Sequence, residues 1–239
     1  MIWLGIDTAN TPLSVAIVKD GQLLAEENAA MAINHSLRAM PAIEELFAKV
    51  GMSPADIDAI AVSEGPGSYT GVRIGVTIAK TLGWTLQKPL YGLSSLKVLA
   101  GNAIYFSGLI CPIVDARRGN VYSAAYHYKD GSLTTVIEDG HFALEELVRL
   151  LEQRGEPVLF IGKDTAIHEQ QLVEQLGDRT VIAPLHLNLP RASTLIHLVA
   201  QQEQESDIHT FVPEYRRLAE AEANWLKEQG KEQVRDSND

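Results

Sequence analysis

Residues 63–75 read Ser-Glu-Gly-Pro-Gly-Ser-Tyr-Thr-Gly-Val-Arg-Ile-Gly, and this stretch decides the fold. It follows an apolar run, residues 57–62, that predicts a buried strand, and it opens a helical pattern from Thr70 to Gly83. A glycine-rich turn between a strand and a helix is a place where backbone N–H groups can cradle a phosphate. The glycine spacing matches neither the dinucleotide-binding pattern nor a P-loop. We therefore favour a structural glycine turn here, with a bound nucleotide as the alternative.

The element order on either side of this stretch predicts a duplicated α/β architecture. Three short strands at residues 2–6, 13–18 and 22–27 are joined by tight turns, which predicts an antiparallel meander. A helix, strands and further helices follow up to about Gly101, and a similar order begins again at Leu109. We expect an N-terminal lobe at 1–103, a smaller C-terminal lobe at 104–218, and a polar tail at 219–239 that is a frayed helix or disordered.

Composition excludes several classes of protein. The chain has 239 residues, 46% of them hydrophobic, and its net charge is −11. That charge argues against a free-standing nucleic-acid binder. The single cysteine, Cys111, favours a reducing compartment, and no apolar run is long enough to span a bilayer. The opening residues lack the basic region of a signal peptide, so we expect a cytoplasmic protein with no membrane contact.

The helix that begins at Thr70 carries a stripe of small residues. Gly71, Gly75, Ala79 and Gly83 recur every four residues and so share one face. Each glycine inside a helix costs ~1 kcal/mol relative to alanine, which calls for a compensating contact. We favour a subunit interface over internal packing, and so expect Gly75→Leu to leave the monomer folded and to abolish association. The predicted interface residues on this helix and on the preceding one are Gly71, Val72, Gly75, Val76, Ala79, Gly83, Leu37 and Met40.

The sequence contains no recognisable catalytic or metal-binding constellation. The seven histidines show no His-x-x-x-His spacing, and Cys111 lies in an apolar strand, where cysteine is usually a small core residue. Ser68 has only a loose likeness to a nucleophile elbow, because Gly-x-Ser-x-Gly is absent. We predict no catalytic residue and no metal ligand.

Several motifs together resemble a known family. The opening Leu4-Gly-Ile-Asp7-Thr8 resembles the first phosphate-loop hairpin of the actin/Hsp70/sugar-kinase superfamily. Residues 65–75, Val114-Asp-Ala-Arg-Arg118 with Val121-Tyr122, and Pro213-x-Tyr215-Arg216 resemble the bacterial TsaB (YeaZ-like) family, which takes part in forming threonylcarbamoyladenosine in tRNA. The resemblance covers residues 1–218.

This resemblance implies a fold, partners and a role. The fold is the two-lobed α/β actin/Hsp70/sugar-kinase type, and phosphate-loop candidates are Asp7, Thr8, Gly65 and Gly67. The expected partners are a TsaD-like catalytic paralogue, which transfers threonylcarbamoyl to N6 of adenosine 37 in tRNA, and a TsaE-like ATPase. A homodimer is expected when the chain is alone, and tRNA is expected to bind only through the complex. The chain is expected to have no cofactor of its own, with a nucleotide at the partner interface left open.

Three positions depart from the catalytic paralogue. Ser95 and Leu99 stand where the resemblance places its two metal-binding histidines, and Pro190 falls near the place of its aspartate ligand. Neither serine nor leucine replaces imidazole as a ligand, so metal-assisted chemistry is not expected. The chain is therefore interpreted as a non-catalytic scaffold subunit. The alternatives are a stand-alone peptidase-like or small-molecule kinase-like enzyme on the same fold, and a homodimer with a regulatory role.

Overall fold

The structure is a computed structural model that describes residues 1–30, 35–201 and 205–214. Ten strands and six helices alternate along these ranges. The strands are β1 (Ile2–Asp7), β2 (Leu13–Lys19), β3 (Gln22–Ala29), β4 (Ala59–Ser63), β5 (Leu90–Leu93), β6 (Leu109–Asp115), β7 (Asn120–Lys129), β8 (Ser132–Ala143), β9 (Val158–Ile161) and β10 (Thr180–Ile182). The helices are α1 (His35–Val50), α2 (Tyr69–Leu86), α3 (Ser95–Ala100), α4 (Leu144–Glu152), α5 (Thr165–Leu176) and α6 (Ala192–Val199).

Two five-stranded sheets have the same topology. The first has the order β3-β2-β1-β4-β5, and the second has the order β10-β9-β6-β7-β8. In each sheet the first three strands of the lobe form the predicted antiparallel meander, and the last two pair in parallel with the first strand and with each other. The predicted duplication, and with it the two-lobed actin/sugar-kinase-like α/β fold, is confirmed.

Helices cover both faces of each sheet. The outer face of the first sheet packs against α1 and α2, and the outer face of the second sheet packs against α4 and α5. Between the sheets lie α3 and α6. Leu96 and Leu99 of α3 pack on the second sheet, whereas Leu195 and Ile196 of α6 pack on the first. The order of layers is therefore helices, sheet, helices, sheet, helices.

The central layer crosses the predicted boundary between the lobes. The boundary at residues 103 and 104 lies between the two sheets, but α6 was expected in the C-terminal lobe and packs on the first sheet. The order of elements along the chain does not determine which of the two sheets a helix covers. The domain limits therefore stay a prediction, and the tail at 219–239 lies outside the described residues.

The N-terminus of α6 is attached to the first sheet by a buried carboxylate. Glu26 in β3 accepts hydrogen bonds from the Ser193 N–H at 3.0 Å, the Ser193 hydroxyl at 2.7 Å and the Arg191 guanidinium at 3.1 Å. A negative group at a helix N-terminus accepts hydrogen bonds from free N–H donors and interacts favourably with the helix dipole.

Within the described ranges, no helix is long and apolar enough to cross a membrane.

Candidate functional site

A cleft of about 510 Å³ opens between the two lobes. It lies beyond the carboxyl ends of β1 and β4 in the first lobe and of β6 and β9 in the second. Ligands of parallel α/β sheets bind at this edge, where neighbouring connections diverge to opposite faces. The residues that line it are 10–12, 67–70, Leu99, 113–117, Tyr122, Lys163, Asp164, Asn188 and Pro190.

The first-lobe wall of the cleft is the start of α2. The Ser68 side chain accepts a hydrogen bond from the Gly71 N–H at 3.3 Å and so caps the helix. Gly67 has no room for a side chain, because a Cβ there would lie 2.2 Å from the Ala9 carbonyl oxygen. The glycine thus lets the chain pass close to the β1–β2 loop before the helix begins.

The second-lobe wall carries charges of both signs. Asp115 pairs with buried His168 at 3.3 Å, and its N–H donates to the Asp164 carboxylate at 2.9 Å. Arg117 and Arg118 occupy the turn after β6 with φ of +67° and +57°, a region that non-glycine residues rarely adopt. Residues held in such conformations often lie at functional sites. With Arg117 and Lys163 beside Asp115 and Asp164, the cleft suits a polar small molecule.

Three of the four phosphate-loop candidates do not line this cleft. Asp7 is fully buried, and its carboxylate accepts hydrogen bonds from the Ser63 hydroxyl at 2.5 Å and the Ala9 N–H at 3.0 Å. Burial raises the pKa of Asp7, although these hydrogen bonds oppose the shift. The Thr8 hydroxyl donates to the Gly71 carbonyl at 2.7 Å. Both side chains are therefore hydrogen-bonded inside the first lobe, and neither lines the cleft.

The glycine loop, residues 64–68, is held by internal hydrogen bonds. The Ser95 N–H donates to the Gly65 carbonyl at 2.8 Å, and the Ser95 hydroxyl donates to the Pro66 carbonyl. Gly65 packs against the chain near the C-terminus, where a Cβ would lie 2.7 Å from the Glu214 carbonyl oxygen. Of the four candidates only Gly67 lines the cleft. These contacts favour the structural glycine turn over the nucleotide alternative.

The predicted interface on the small-residue face of α2 is wrong. Gly71, Val72, Gly75, Val76, Ala79 and Gly83 are the buried residues of this helix. A Cβ on Gly71 would lie 2.3 Å from the Thr8 carbonyl oxygen, and a Cβ on Gly75 would lie 2.5 Å from the Thr8 hydroxyl. The stripe therefore lets α2 approach the first sheet and its β1–β2 loop, which was the alternative of internal packing.

The other two predicted interface residues are on the surface. Leu37 is 69% exposed and Met40 is 46% exposed, both on α1. The opposite face of α2 presents Tyr69, 49% exposed, with the Arg73 guanidinium 4.1 Å from the centre of its ring. Helix α1 packs beside α2, so the exposed faces of both helices lie on the outer side of the first lobe.

Several cleft residues were missed by sequence reasoning. Tyr122, the adjacent pair Lys163 and Asp164, and Asn188 come from three separate segments, and none belongs to a motif that indicates binding on its own. The available signal was the resemblance motif formed by residues 114–118 with Val121 and Tyr122, to which no binding role was assigned.

The expected metal-ligand positions are occupied by engaged or apolar side chains. Ser95 bonds to the Pro66 carbonyl, and Leu99 is buried against the second sheet. In the ranges the structure covers, no three His, Cys, Asp or Glu side chains are grouped to hold a metal ion. Burial raises the pKa of the Cys111 thiol to about 12, which makes it a poor nucleophile.

Comparison with known proteins agrees with the fold and the motifs. The family model described as TsaD, tRNA N6-adenosine threonylcarbamoyltransferase, matches residues 26–225. The Bacillus subtilis tRNA threonylcarbamoyladenosine biosynthesis protein TsaB is 45% identical over 96% of this chain and 100% of its own length. The Escherichia coli TsaB is 36% identical over 54% of this chain and 57% of its own. The solved structure of YeaZ from Pseudomonas aeruginosa superposes with a TM-score of 0.77 at 25% identity, covering 90% of this chain and 99% of that one.

The duplicated sheets and the cleft between them define a two-lobed protein of the actin/sugar-kinase class. Within that class, the chain belongs to the TsaB family of tRNA threonylcarbamoyladenosine biosynthesis proteins.

Proposed function

We propose that the chain is a non-catalytic partner subunit in the transfer of threonylcarbamoyl from threonylcarbamoyl-AMP to N6 of adenosine 37 in tRNA. The observation that carries this proposal is the 45% identity to Bacillus subtilis TsaB over 96% of this chain and the whole of that one. In this role it acts with a TsaD-like catalytic paralogue and a TsaE-like ATPase, in the cytoplasm. It contributes no cofactor of its own, a nucleotide at the partner interface remains part of the proposal, and tRNA binds through the complex.

The state of the chemistry-bearing residues supports a non-catalytic role. Asp7 and Thr8 are used in hydrogen bonds inside the first lobe, and Ser95 holds the glycine loop. Cys111 is buried with a raised pKa. A peptidase-like or kinase-like enzyme would need an accessible nucleophile with its base, or a free phosphate loop, and these residues supply neither.

The partner surface of this proposal is the exposed side of α1 and α2. Leu37 and Met40 place apolar side chains in solvent on α1, and Tyr69 is about half exposed on the neighbouring α2. Exposed apolar and aromatic side chains of this kind suit protein contact. A second copy of the chain can use the same side, so a homodimer and the complex with the catalytic paralogue compete for it. The buried stripe of α2 takes no part.

Reconstitution tests the proposed function. The TsaD-like and TsaE-like proteins, tRNA and threonylcarbamoyl-AMP are combined with and without this chain, and modified adenosine is measured in the digested tRNA. We expect modification to depend on the chain. Equal rates without it would overturn the proposal, and a hydrolase or kinase activity of the chain alone, lost on a single substitution, would favour the enzyme alternative.

A further inference from the structure

A hydrogen-bonded cluster joins the two lobes away from the lining of the cleft. Its centre is Asp139 in β8. The Tyr126 hydroxyl, on β7 of the same sheet, donates to Asp139 Oδ1 at 2.5 Å, and the Ser94 hydroxyl donates to Asp139 Oδ2. Ser94 comes directly after β5, the edge strand of the first sheet. One carboxylate of the second lobe is therefore bonded to the segment that leaves the first lobe.

A bulge in β8 aims Asp139 at these donors. Ser123 pairs with Gly140 and Ala125 pairs with Ile137, so two residues of β8, 138 and 139, lie opposite one residue of β7. Such an extra residue bends the strand and redirects a side chain. The neighbouring Glu138 is exposed to solvent, whereas Asp139 is half-buried. The bulge thus separates one carboxylate of the pair from water and turns it to the seam between the lobes.

Both donors are fixed by their own surroundings. Tyr126 is 1% exposed and packs in the core formed by the second sheet and α3. Burial, with the nearby Asp139 charge, raises the pKa of Tyr126 and keeps its hydroxyl a proton donor. Ser94 also accepts the Lys97 N–H at 3.3 Å and so caps α3. Hydrogen bonds to an ionised carboxylate are stronger than neutral ones.

The residue after Ser94 connects the same point to the glycine loop. Ser95 bonds through its N–H to the Gly65 carbonyl and through its hydroxyl to the Pro66 carbonyl. The start of α3 is thereby attached to the glycine loop on one side and to Asp139 on the other. A rotation of the second lobe relative to the glycine loop has to break the bond between Ser94 and Asp139.

We propose that Ser94, Asp139 and Tyr126 form an inter-lobe latch that holds the cleft at the width seen in the structure. The glycine loop and the start of α2 form one wall of the cleft, and the turn after β6 forms the other. The latch fixes the distance between these walls, so the two lobes move as one body.

Paired substitutions at the latch provide the test. Ser94→Asp keeps a good helix cap but places a second carboxylate against Asp139, which opens the latch. The exchanged pair, Ser94→Asp with Asp139→Ser, restores one hydroxyl facing one carboxylate. Ser94→Thr retains the hydroxyl, and Glu138→Gln removes the exposed neighbouring charge as a control. Folding of each full-length variant is checked by circular dichroism.

The distance between the lobes is measured by pulsed electron paramagnetic resonance. Spin labels are attached at Lys49→Cys in α1 and Gln170→Cys in α5, which are exposed, and the native Cys111 is buried. We expect a narrow distance distribution in the protein with the native latch, in Ser94→Thr, in Glu138→Gln and in the exchanged pair. In Ser94→Asp we expect the width at least to double.

A folded Ser94→Asp variant with the native width, or a Ser94→Thr variant as wide as Ser94→Asp, overturns the latch. If Ser94→Asp does not fold, Asp139→Asn replaces it, because the amide weakens both hydrogen bonds without adding a charge. A widened distribution in Asp139→Asn then supports the latch, and the native width refutes it.

Discussion

At the scale of single residues, Gly75 shows how little space separates α2 from the β1–β2 loop. A Cβ at this position would lie 2.5 Å from the Thr8 hydroxyl oxygen, which itself donates to the Gly71 carbonyl. We expect Gly75→Leu to lower the free energy of unfolding by ~1–3 kcal/mol or more, the usual cost of overpacking a core. Urea unfolding of the variant and the native protein measures this change in the free energy of unfolding.

The matched control for Gly75→Leu is Thr77→Leu on the exposed face of the same helix. Both variants gain a leucine in α2. Replacing a helical glycine also gains ~1 kcal/mol of helix propensity, so Gly75→Leu would be the more stabilised variant if its side chain met open space. Equal stability of the two variants would contradict the buried position of the stripe.

Asp7 gives a residue-scale prediction on pH. Burial raises the pKa of its carboxyl group above the ordinary value of 3.8, against the opposing hydrogen bonds from Ser63 and Ala9. Between the ordinary and the raised value, the folded protein holds a proton that the unfolded chain has released. The contribution of Asp7 to stability therefore falls as the pH rises through that range.

Asp7→Asn removes this titration. We expect the free energy of unfolding of Asp7→Asn minus that of the native protein to increase as the pH rises from 3.8 to the raised value. Urea unfolding at a series of pH values measures the difference, and carboxyl carbon chemical shifts follow the titration of Asp7 directly. A difference that stays flat or falls with pH would show that the carboxyl is not destabilised by burial.

At the scale of elements, residues on the exposed side of α1 can be substituted without disturbing the core beneath the helix. Leu37 and Met40 are exposed, whereas Ile43 and Phe47 of the same helix are buried. Leu37→Asp with Met40→Asp should therefore leave thermal unfolding nearly unchanged, because surface substitutions usually shift stability by no more than ~0.5 kcal/mol. The double variant should lose binding to the TsaD-like partner by at least tenfold, since two carboxylates would be desolvated in the interface.

Ile167→Asp on α5 is the matched control, because Ile167 is 64% exposed and lies on the second lobe. Calorimetric titration of the partner compares the three proteins. Native affinity in the double variant would place the interface elsewhere on the molecule, and equal loss in Ile167→Asp would point to a general effect of added charge.

The elements also show what the sequence could predict. The three strands of the first meander, predicted at residues 2–6, 13–18 and 22–27, begin where the structure has them and end one or two residues later, because short β-type runs between tight turns leave few alternatives. The stripe on α2 was recognised as one face, but periodicity does not say whether a sheet or a partner lies opposite. The contacts of Thr8 decide this, and they depend on a turn sixty residues earlier in the chain.

The cleft was predictable only in outline. Of the phosphate-loop candidates that the family resemblance supplied, only Gly67 lines the cleft. Lys163 and Asp164 follow β9, and Asn188 follows β10, so no local pattern links them to the glycine loop. The parallel pairing of β9 with β6 places Lys163 and Asp164 beside the end of β6 at Asp115, and such pairing cannot be derived from any one segment.

At the scale of the whole molecule, charge decides what the isolated chain can bind. The net charge is −11, from 20 basic and 31 acidic residues. The cations of the cleft, Arg117 and Lys163, lie beside Asp115 and Asp164, so this surface does not present an uninterrupted positive patch. RNA binding draws its affinity from basic side chains that displace counterions from phosphates.

We therefore expect no saturable binding when tRNA is titrated into the isolated chain at physiological salt, with fluorescence anisotropy of labelled tRNA as the measurement. The same titration with the TsaD-like partner present should saturate, because the partner supplies the missing contacts. A salt series distinguishes weak electrostatic binding from none, since each phosphate contact adds to the slope of affinity against salt. Micromolar binding by the chain alone, with a steep salt slope, would mean that local basic groups outweigh the net charge and that this subunit contacts tRNA directly.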